Sequence, residues 1–196
     1  MSTNKKFIYI ISFFVLIGAL LCFLFFFYNL KYPVKYKDTI SFYSKEYNLD
    51  KNVVSSIINE ESSFNSRAIS SSGAIGLMQI MPSTAKFIAN EILHEEYNRE
   101  KLFLPETNIK YGCCYLNYLN KKFNGEKEVL CAYNAGEGLV RSWLNGREYS
   151  DDGKTLSEIP YKETNDYYTK VMNGKKHYVG RVWVIFKRIK LWKYFL

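Results

Sequence analysis
The sequence predicts a mainly α protein, a single globular domain preceded by one N-terminal transmembrane helix. Three observations point there. The 24 residues from Phe7 to Leu30 carry no charge. Beyond them apolar residues recur at helical spacing, while the period-2 alternation of strands is almost absent. A length of 196 residues supplies one hydrophobic core but hardly two.

As a helix, Phe7 to Leu30 is about 36 Å long at about 1.5 Å per residue, enough to cross a bilayer's hydrocarbon core. A cleaved signal peptide would have a shorter apolar run closed by small residues. Here the run ends in Tyr28-Asn29-Leu30-Lys31, so it is read as a retained anchor. Leu20-Leu21 before Cys22 argue against a lipoprotein cysteine and leave Cys22 facing lipid. Lys5 and Lys6 place residues 1–6 in the cytoplasm, a signal blunted by Lys31, Lys35 and Lys37 on the far side. Residues 31–39, with Pro33, read as a linker, 40–173 as the globular domain, and 174–196 as a basic, aromatic C-terminal segment.

Within the domain, Asp50 can cap a helix carrying Val53, Val54, Ile57 and Ile58, and a second helix starts at Pro82. The serine- and glycine-rich stretch Ser70 to Gly76 between them is a loop able to approach a ligand closely. Leu77 to Met81 reads as a brief extended segment. Further helices are expected over about 107–123, 126–135 and 163–172, with Gly136 ending the second of these in a left-handed conformation. Cys113, Cys114 and Cys131 are read as small core residues, a bridge to Cys131 being the alternative.

The net charge of +8 resembles a nucleic-acid signature until it is divided along the chain. Residues 31–173 hold 18 basic against 19 acidic residues, and 174–196 hold seven basic and no acidic ones. The domain is therefore nearly neutral and no nucleic-acid partner is expected. His94 and His177 are too few and too far apart for a zinc site, and no phosphate-binding glycine loop or Gly-x-Ser-x-Gly turn occurs. Carboxylate chemistry remains. With Val53 at 0° on a helical wheel, the apolar stripe centres near 70° and Glu61 falls at about 80°, while Glu60 falls near 340°. Burial disfavours the charged form, so a carboxyl there keeps its proton nearer neutral pH and can act as a general acid. The other reading is that Glu61 ends its helix and turns into water.

A longer pattern bears on that choice. It comprises Glu61-Ser62-Ser63-Phe64-Asn65, Ala68-Ile69-Ser70, Gly73 to Ala85, Asn108-Ile109 with Gly112 and Tyr115-Leu116, Ala132-Tyr133-Asn134-Ala135-Gly136, and Ile159-Pro160 followed by Glu163-Thr164 and Tyr167. In order and spacing, these blocks resemble the catalytic domain of the soluble lytic transglycosylases, related in fold to goose-type lysozyme, over roughly residues 40–172.

The resemblance implies a lysozyme-like fold and cleavage of the β-1,4 bond between N-acetylmuramic acid and N-acetylglucosamine in peptidoglycan, with no metal and no cofactor. Glu61 takes the family's acid/base position, and the muramyl C6 hydroxyl attacks C1 to close a 1,6-anhydro ring. That tethered nucleophile needs no second carboxylate. Ser70 and Gln79 would bond sugar substituents, Met78 would pack apolar surface around the cleavage point, and Tyr133 and Asn134 would face Glu61 across the groove. Glu163 would reach the substrate or serve its helix's N-terminus.

The expectation is thus a single-pass cell-membrane enzyme, its domain on the wall side, whose partners are peptidoglycan glycan strands and, through residues 7–30, the membrane. The alternatives are a muramidase of the same fold and a catalytically weak peptidoglycan-binding component of a membrane machine. Beyond Tyr167 the pattern fades. Val182, Ile185, Phe186, Ile189, Trp192 and Leu196 form an apolar stripe among basic residues, suited to packing on the domain or to contact with anionic lipid or wall polymer.

Overall fold
The structure is a computed structural model that describes the backbone of residues 3–33 and 35–192 and the side chains of 7–33 and 35–179. It consists of two compact units, residues 1–33 and 34–196. The first is helix α1 (Thr3–Lys31), whose stretch Phe7–Lys31 is long and apolar enough to cross a membrane and keeps its large apolar side chains exposed.

The second unit is built of helices, as its class predicts. These are α2 (Lys37–Glu46), α3 (Lys51–Ser62), α4 (Pro82–Phe87), α5 (Pro105–Asn120), α6 (Glu126–Ala135), α7 (Glu137–Asn145) and α8 (Lys162–Trp192). A π-helical turn, Ile88–Leu93, continues α4, and a 3-10 turn, Arg99–Phe103, precedes α5. Asp50 caps α3 by accepting from the Asn52 N–H at 2.8 Å, and Pro82 opens α4, both at positions the sequence marks. Helix α3 runs through the middle of the unit. Its Val54, Ile57 and Ile58 are fully buried, and it packs on α2 and, most extensively, on α8.

Three stretches differ from the sequence reading. Leu77–Gln79 is a tight turn rather than an extended segment. Ile75 and Ile80 exchange both backbone hydrogen bonds at 3.0 Å across it, with φ of 80° at Gly76 and 47° at Gln79. Gly136 has φ 94° and ψ 145°, outside the left-handed helical basin, because it closes α6 and opens the unpredicted α7 at once. Helix α8 does not stop near 172. At Gly174 the missing side chain lets α8 come against Ser56 of α3, where a Cβ would collide with the Ser56 side chain. The Ser56 hydroxyl donates to the Val171 carbonyl at 2.7 Å across this contact. Cys113, Cys114 and Cys131 are buried free thiols. The apolar stripe from Val182 to Leu196, and the side chains of Lys5 and Lys6, lie outside the described residues.

One side chain fixes the Leu77–Gln79 turn. Asn108 of α5 is fully buried. Its Oδ1 accepts from the Met78 N–H at 2.7 Å, and its Nδ2 donates to the carbonyls of Ile75 at 2.9 Å and Leu102 at 2.8 Å. Asn108→Ala leaves the Met78 N–H and the Leu102 carbonyl without their side-chain partner and strips the Ile75 carbonyl of its second donor, and should cost about 3 kcal/mol. The exposed Asn120→Ala should cost less than about 0.5 kcal/mol. Denaturant unfolding of the two variants in detergent micelles checks this, and equal midpoints would contradict it.

Candidate functional site
Glu61 lies in the last turn of α3, beyond which Ser63 (φ 49°) and Phe64 (φ 61°) turn the chain sharply. Phe64 is buried against Tyr178 of α8, ring centroids 6.4 Å apart, so the turn is held from outside the helix. On the Glu61 side, the Ser62 hydroxyl bonds the Leu77 carbonyl at 2.8 Å, and the Tyr133 phenol of α6 donates to the Met78 carbonyl at 2.7 Å. The turn carrying residues 77 and 78 is therefore tied to α3, α5 and α6.

The electrostatics follow from that enclosure. Burial pushes the Glu61 carboxyl up from 4.5 to about 7; the Tyr167 hydroxyl pulls it part of the way down and the Glu60 charge pushes it up. Burial first, and then the Glu61 charge, hold the phenols of Tyr133 and Tyr167 well above their ordinary range. Both hydroxyls therefore share the Glu61 environment. That of Tyr133 is committed to Met78. That of Tyr167 is buried and favours the Glu61 carboxylate, although it completes no hydrogen bond of ordinary geometry. Glu60, which the helical wheel sets apart from Glu61, pairs with Lys170 of α8 at 2.7 Å at the surface.

The other residues singled out in the sequence divide. Asn134 and Glu163 line one cleft of about 400 Å³, together with Glu60, Asp166, Tyr167 and Lys170. Glu163 stands exposed in the first turn of α8, where a carboxylate suits the helix dipole. The Ser70 hydroxyl accepts from the Ala74 N–H at 2.9 Å within its own loop. The Gln79 amide donates to the Gly76 carbonyl at 2.8 Å. Each thus spends one polar function on the loop. Met78 is fully buried with its thioether against Gly112.

Sequence reasoning gave no role to Tyr167 or Asn108. The available signals were a tyrosine one turn after Glu163 and an asparagine among the buried Ile109, Tyr111 and Gly112 of α5. Among the described residues, no three of His, Cys, Asp and Glu gather closely enough to hold a metal ion.

A helical domain thus holds one buried carboxyl of raised pKa beside two buried phenols, a group able to carry a proton near neutral pH. The family model of the transglycosylase SLT domain matches residues 38–156, and the chain belongs to that family. It is 34% identical over 151 residues to the soluble lytic murein transglycosylase of Salmonella typhimurium, which covers 76% of this chain and 23% of that protein. It is 31% identical over 169 residues to the membrane-bound lytic murein transglycosylase C of Serratia proteamaculans, covering 75% and 47%. An inactive mutant of the lytic transglycosylase Slt from Pseudomonas aeruginosa superposes with a TM-score of 0.69 at 31% identity, covering 79% and 25%. The chain therefore spans between about a quarter and a half of the length of these relatives.

The elevated carboxyl has a thermodynamic signature. Between pH 4.5 and about 7, folded Glu61 retains a proton that the unfolded chain has released. Raising the pH through that window therefore removes stability, at up to roughly 1.4 kcal/mol per pH unit. Glu61→Gln should match the parent near pH 4 and exceed it by about 2 to 3 kcal/mol near pH 8. Denaturant melts across that range test this, and a pH-independent difference would show the carboxyl to be ordinary.

Proposed function
We propose that the chain is a membrane-anchored lytic transglycosylase that cleaves the β-1,4 bond between N-acetylmuramic acid and N-acetylglucosamine in peptidoglycan strands. The observation that carries this reading is Glu61, held near half-protonation at neutral pH beside the tyrosines of α6 and α8. Its family membership, and relatives named for murein, support the substrate class.

In this mechanism protonated Glu61 gives its proton to the departing glycosidic oxygen as the C1–O bond breaks. The resulting carboxylate takes the proton of the muramyl C6 hydroxyl, whose oxygen closes on C1 and leaves a 1,6-anhydro ring. Tethering the nucleophile to the sugar is worth several kcal/mol over recruiting a free water. Tyr133, fixed by Met78, and Tyr167 keep the carboxyl oriented through both steps. Asn134 and Glu163 contact sugar or its substituents in the adjoining cleft, and the remaining functions of Ser70 and Gln79, the hydroxyl proton and the amide oxygen, face substrate from the loop. Helix α1 crosses the membrane once and leaves the domain on the wall side.

Glu61→Gln should lower turnover of purified glycan strands by a factor of about 100 or more, while Glu60→Gln changes it little. Parent activity should fall as pH rises above 7, because the acid form is consumed. The products should be muropeptides lighter by one water than hydrolysis products and without an end that borohydride reduces. Mass spectra dominated by reducible, hydrated products would instead assign a muramidase, with a cleft acid such as Glu163 activating water.

Anchoring has its own test. The full-length chain should stay with membranes through an alkaline wash, whereas a chain beginning near Lys31 should be released. A mature N-terminus beyond residue 22 would reject the anchor.

A further inference from the structure
The chain between α7 and α8, residues 146–161, contains no helix or strand, yet one residue in it is gripped through its whole backbone. The Leu156 N–H donates to Glu128 Oε1 at 2.8 Å, and the Leu156 carbonyl accepts from the Lys127 ammonium at 2.6 Å. Consecutive residues of α6 thus take both polar groups of one buried loop residue. Around Leu156 the loop is tied to itself. The Ser157 N–H reaches the Tyr149 carbonyl at 2.9 Å, and Asp152 accepts from the N–H groups of Lys154 and Thr155 at 2.8 and 2.7 Å. A loop closed on itself in this way moves with its pinned residue.

Glu128 has no part in the cleavage chemistry, although it is a carboxyl only 2% exposed. Burying such a group is costly unless it is hydrogen-bonded. Its place in the first turn of α6 answers part of that cost, because the unpaired N–H groups of a helix N-terminus favour an acid. Its Oε2 lies against Gly125, where a Cβ would collide with it. The site is therefore shaped to aim the other oxygen at Leu156.

What Leu156 positions follows from the chain. Five and six residues beyond Glu128, α6 carries Tyr133 and Asn134. Six residues beyond Leu156, α8 starts, and Glu163 in its first turn lines one cleft with Asn134. Further along, α8 is fastened to α3 where Ser56 meets Val171 and Gly174. The first turn of α8 lies ahead of that fastening and inherits its place from the loop.

We propose that Glu128, seconded by Lys127, is a positioning residue for glycan cleavage: by gripping Leu156 it sets where the first turn of α8 begins, and so where Glu163 stands relative to Asn134 across the cleft. The inference rests on the lytic reading for its substrate, but the clamp itself does not require turnover. Its loss frees the wall that carries Glu163 and weakens substrate binding, while Tyr133, fixed by Met78, and Glu61 keep their places.

The test compares the full-length parent with Glu128→Ala, Glu128→Gln and Lys127→Met in detergent micelles, through kinetics on purified glycan strands and hydrogen exchange read by mass spectrometry. Glu128→Ala should raise KM about tenfold and leave kcat within about twofold. Its amides over residues 146–166 should exchange faster, and those of α3 should not. Glu128→Gln, which keeps an oxygen for the Leu156 N–H, should stay close to the parent, and Lys127→Met should raise KM about threefold. A residue that only stabilises the fold would instead lower the fraction of active molecules, reducing kcat at unchanged KM, and that result overturns the proposal. So does faster exchange of the loop with parental KM, or Glu128→Gln as impaired as Glu128→Ala. If Glu128→Ala does not fold, Lys127→Met decides, and an unchanged KM there overturns the clamp. A parent that cleaves no glycan sinks the lytic reading alone. Exchange then decides the clamp: a loop loosened in Glu128→Ala but not in Glu128→Gln supports it, and a loop unchanged in both overturns it.

Discussion

The peptide between Leu77 and Met78 is where the domain is joined, and the buried amide of Asn108 makes the joint rigid. Three helices reach this short stretch. Ser62 of α3 holds the Leu77 carbonyl, Asn108 of α5 holds the Met78 N–H, and Tyr133 of α6 holds the Met78 carbonyl. Asn108 spends its oxygen and both amide protons on backbone groups, the Met78 N–H and the carbonyls of Leu102 and Ile75. Two glycines make the approach possible. At Gly76 a Cβ would strike the Asn108 amide, and at Gly112 it would strike the Met78 thioether. Glu61 precedes Ser62, so its placement is set by the same joint.

That arrangement also explains why burial decides the charge of Glu61. Its neighbours have spent their donors elsewhere: Tyr133 on Met78, Ser62 on Leu77, and Lys170 on Glu60. Glu95 shows the opposite outcome in the same domain. Burial pushes its carboxyl up too, but hydrogen bonds from Lys110 at 2.6 Å and Tyr111 at 2.7 Å outweigh this and hold it below the usual value. Desolvation thus prevails at Glu61 because strong donors are withheld. The Tyr167 hydroxyl favours the carboxylate, but without good geometry it only softens the shift.

Legibility in the sequence followed the range of the interactions. The cap at Asp50, the start at Pro82 and the facing of Glu61 against Glu60 are written in residues a few places apart, and the helical period suffices to read them. The ordered motif blocks carried the family and its site further than periodicity could. What stayed hidden depended on distant partners. The helix expected to end near 172 runs on through Gly174, because Ser56, 118 residues earlier in the chain, packs against that glycine. Gly136 looks like the end of one helix, although Val140, Trp143 and Leu144 bury the face of another directly after it. Met78 lies in the core because Gly112, 34 residues later, leaves a space that its thioether fills.

Helix α8 begins at the cleft with Glu163 and Tyr167, passes the close contact at Gly174, and continues unbroken to Trp192. The helical turns beyond Gly174 are therefore held in a fixed rotational register with Tyr167, which shares the Glu61 environment. A single residue inserted or lost between Tyr167 and Lys175 would turn everything downstream by about 100° around the helix axis, and one on the near side of Gly174 would also move the glycine off Ser56. Over evolutionary time, substitutions can accumulate along this helix far more freely than insertions or deletions. Its length between the cleft and the basic segment should thus drift less among related chains than its composition does.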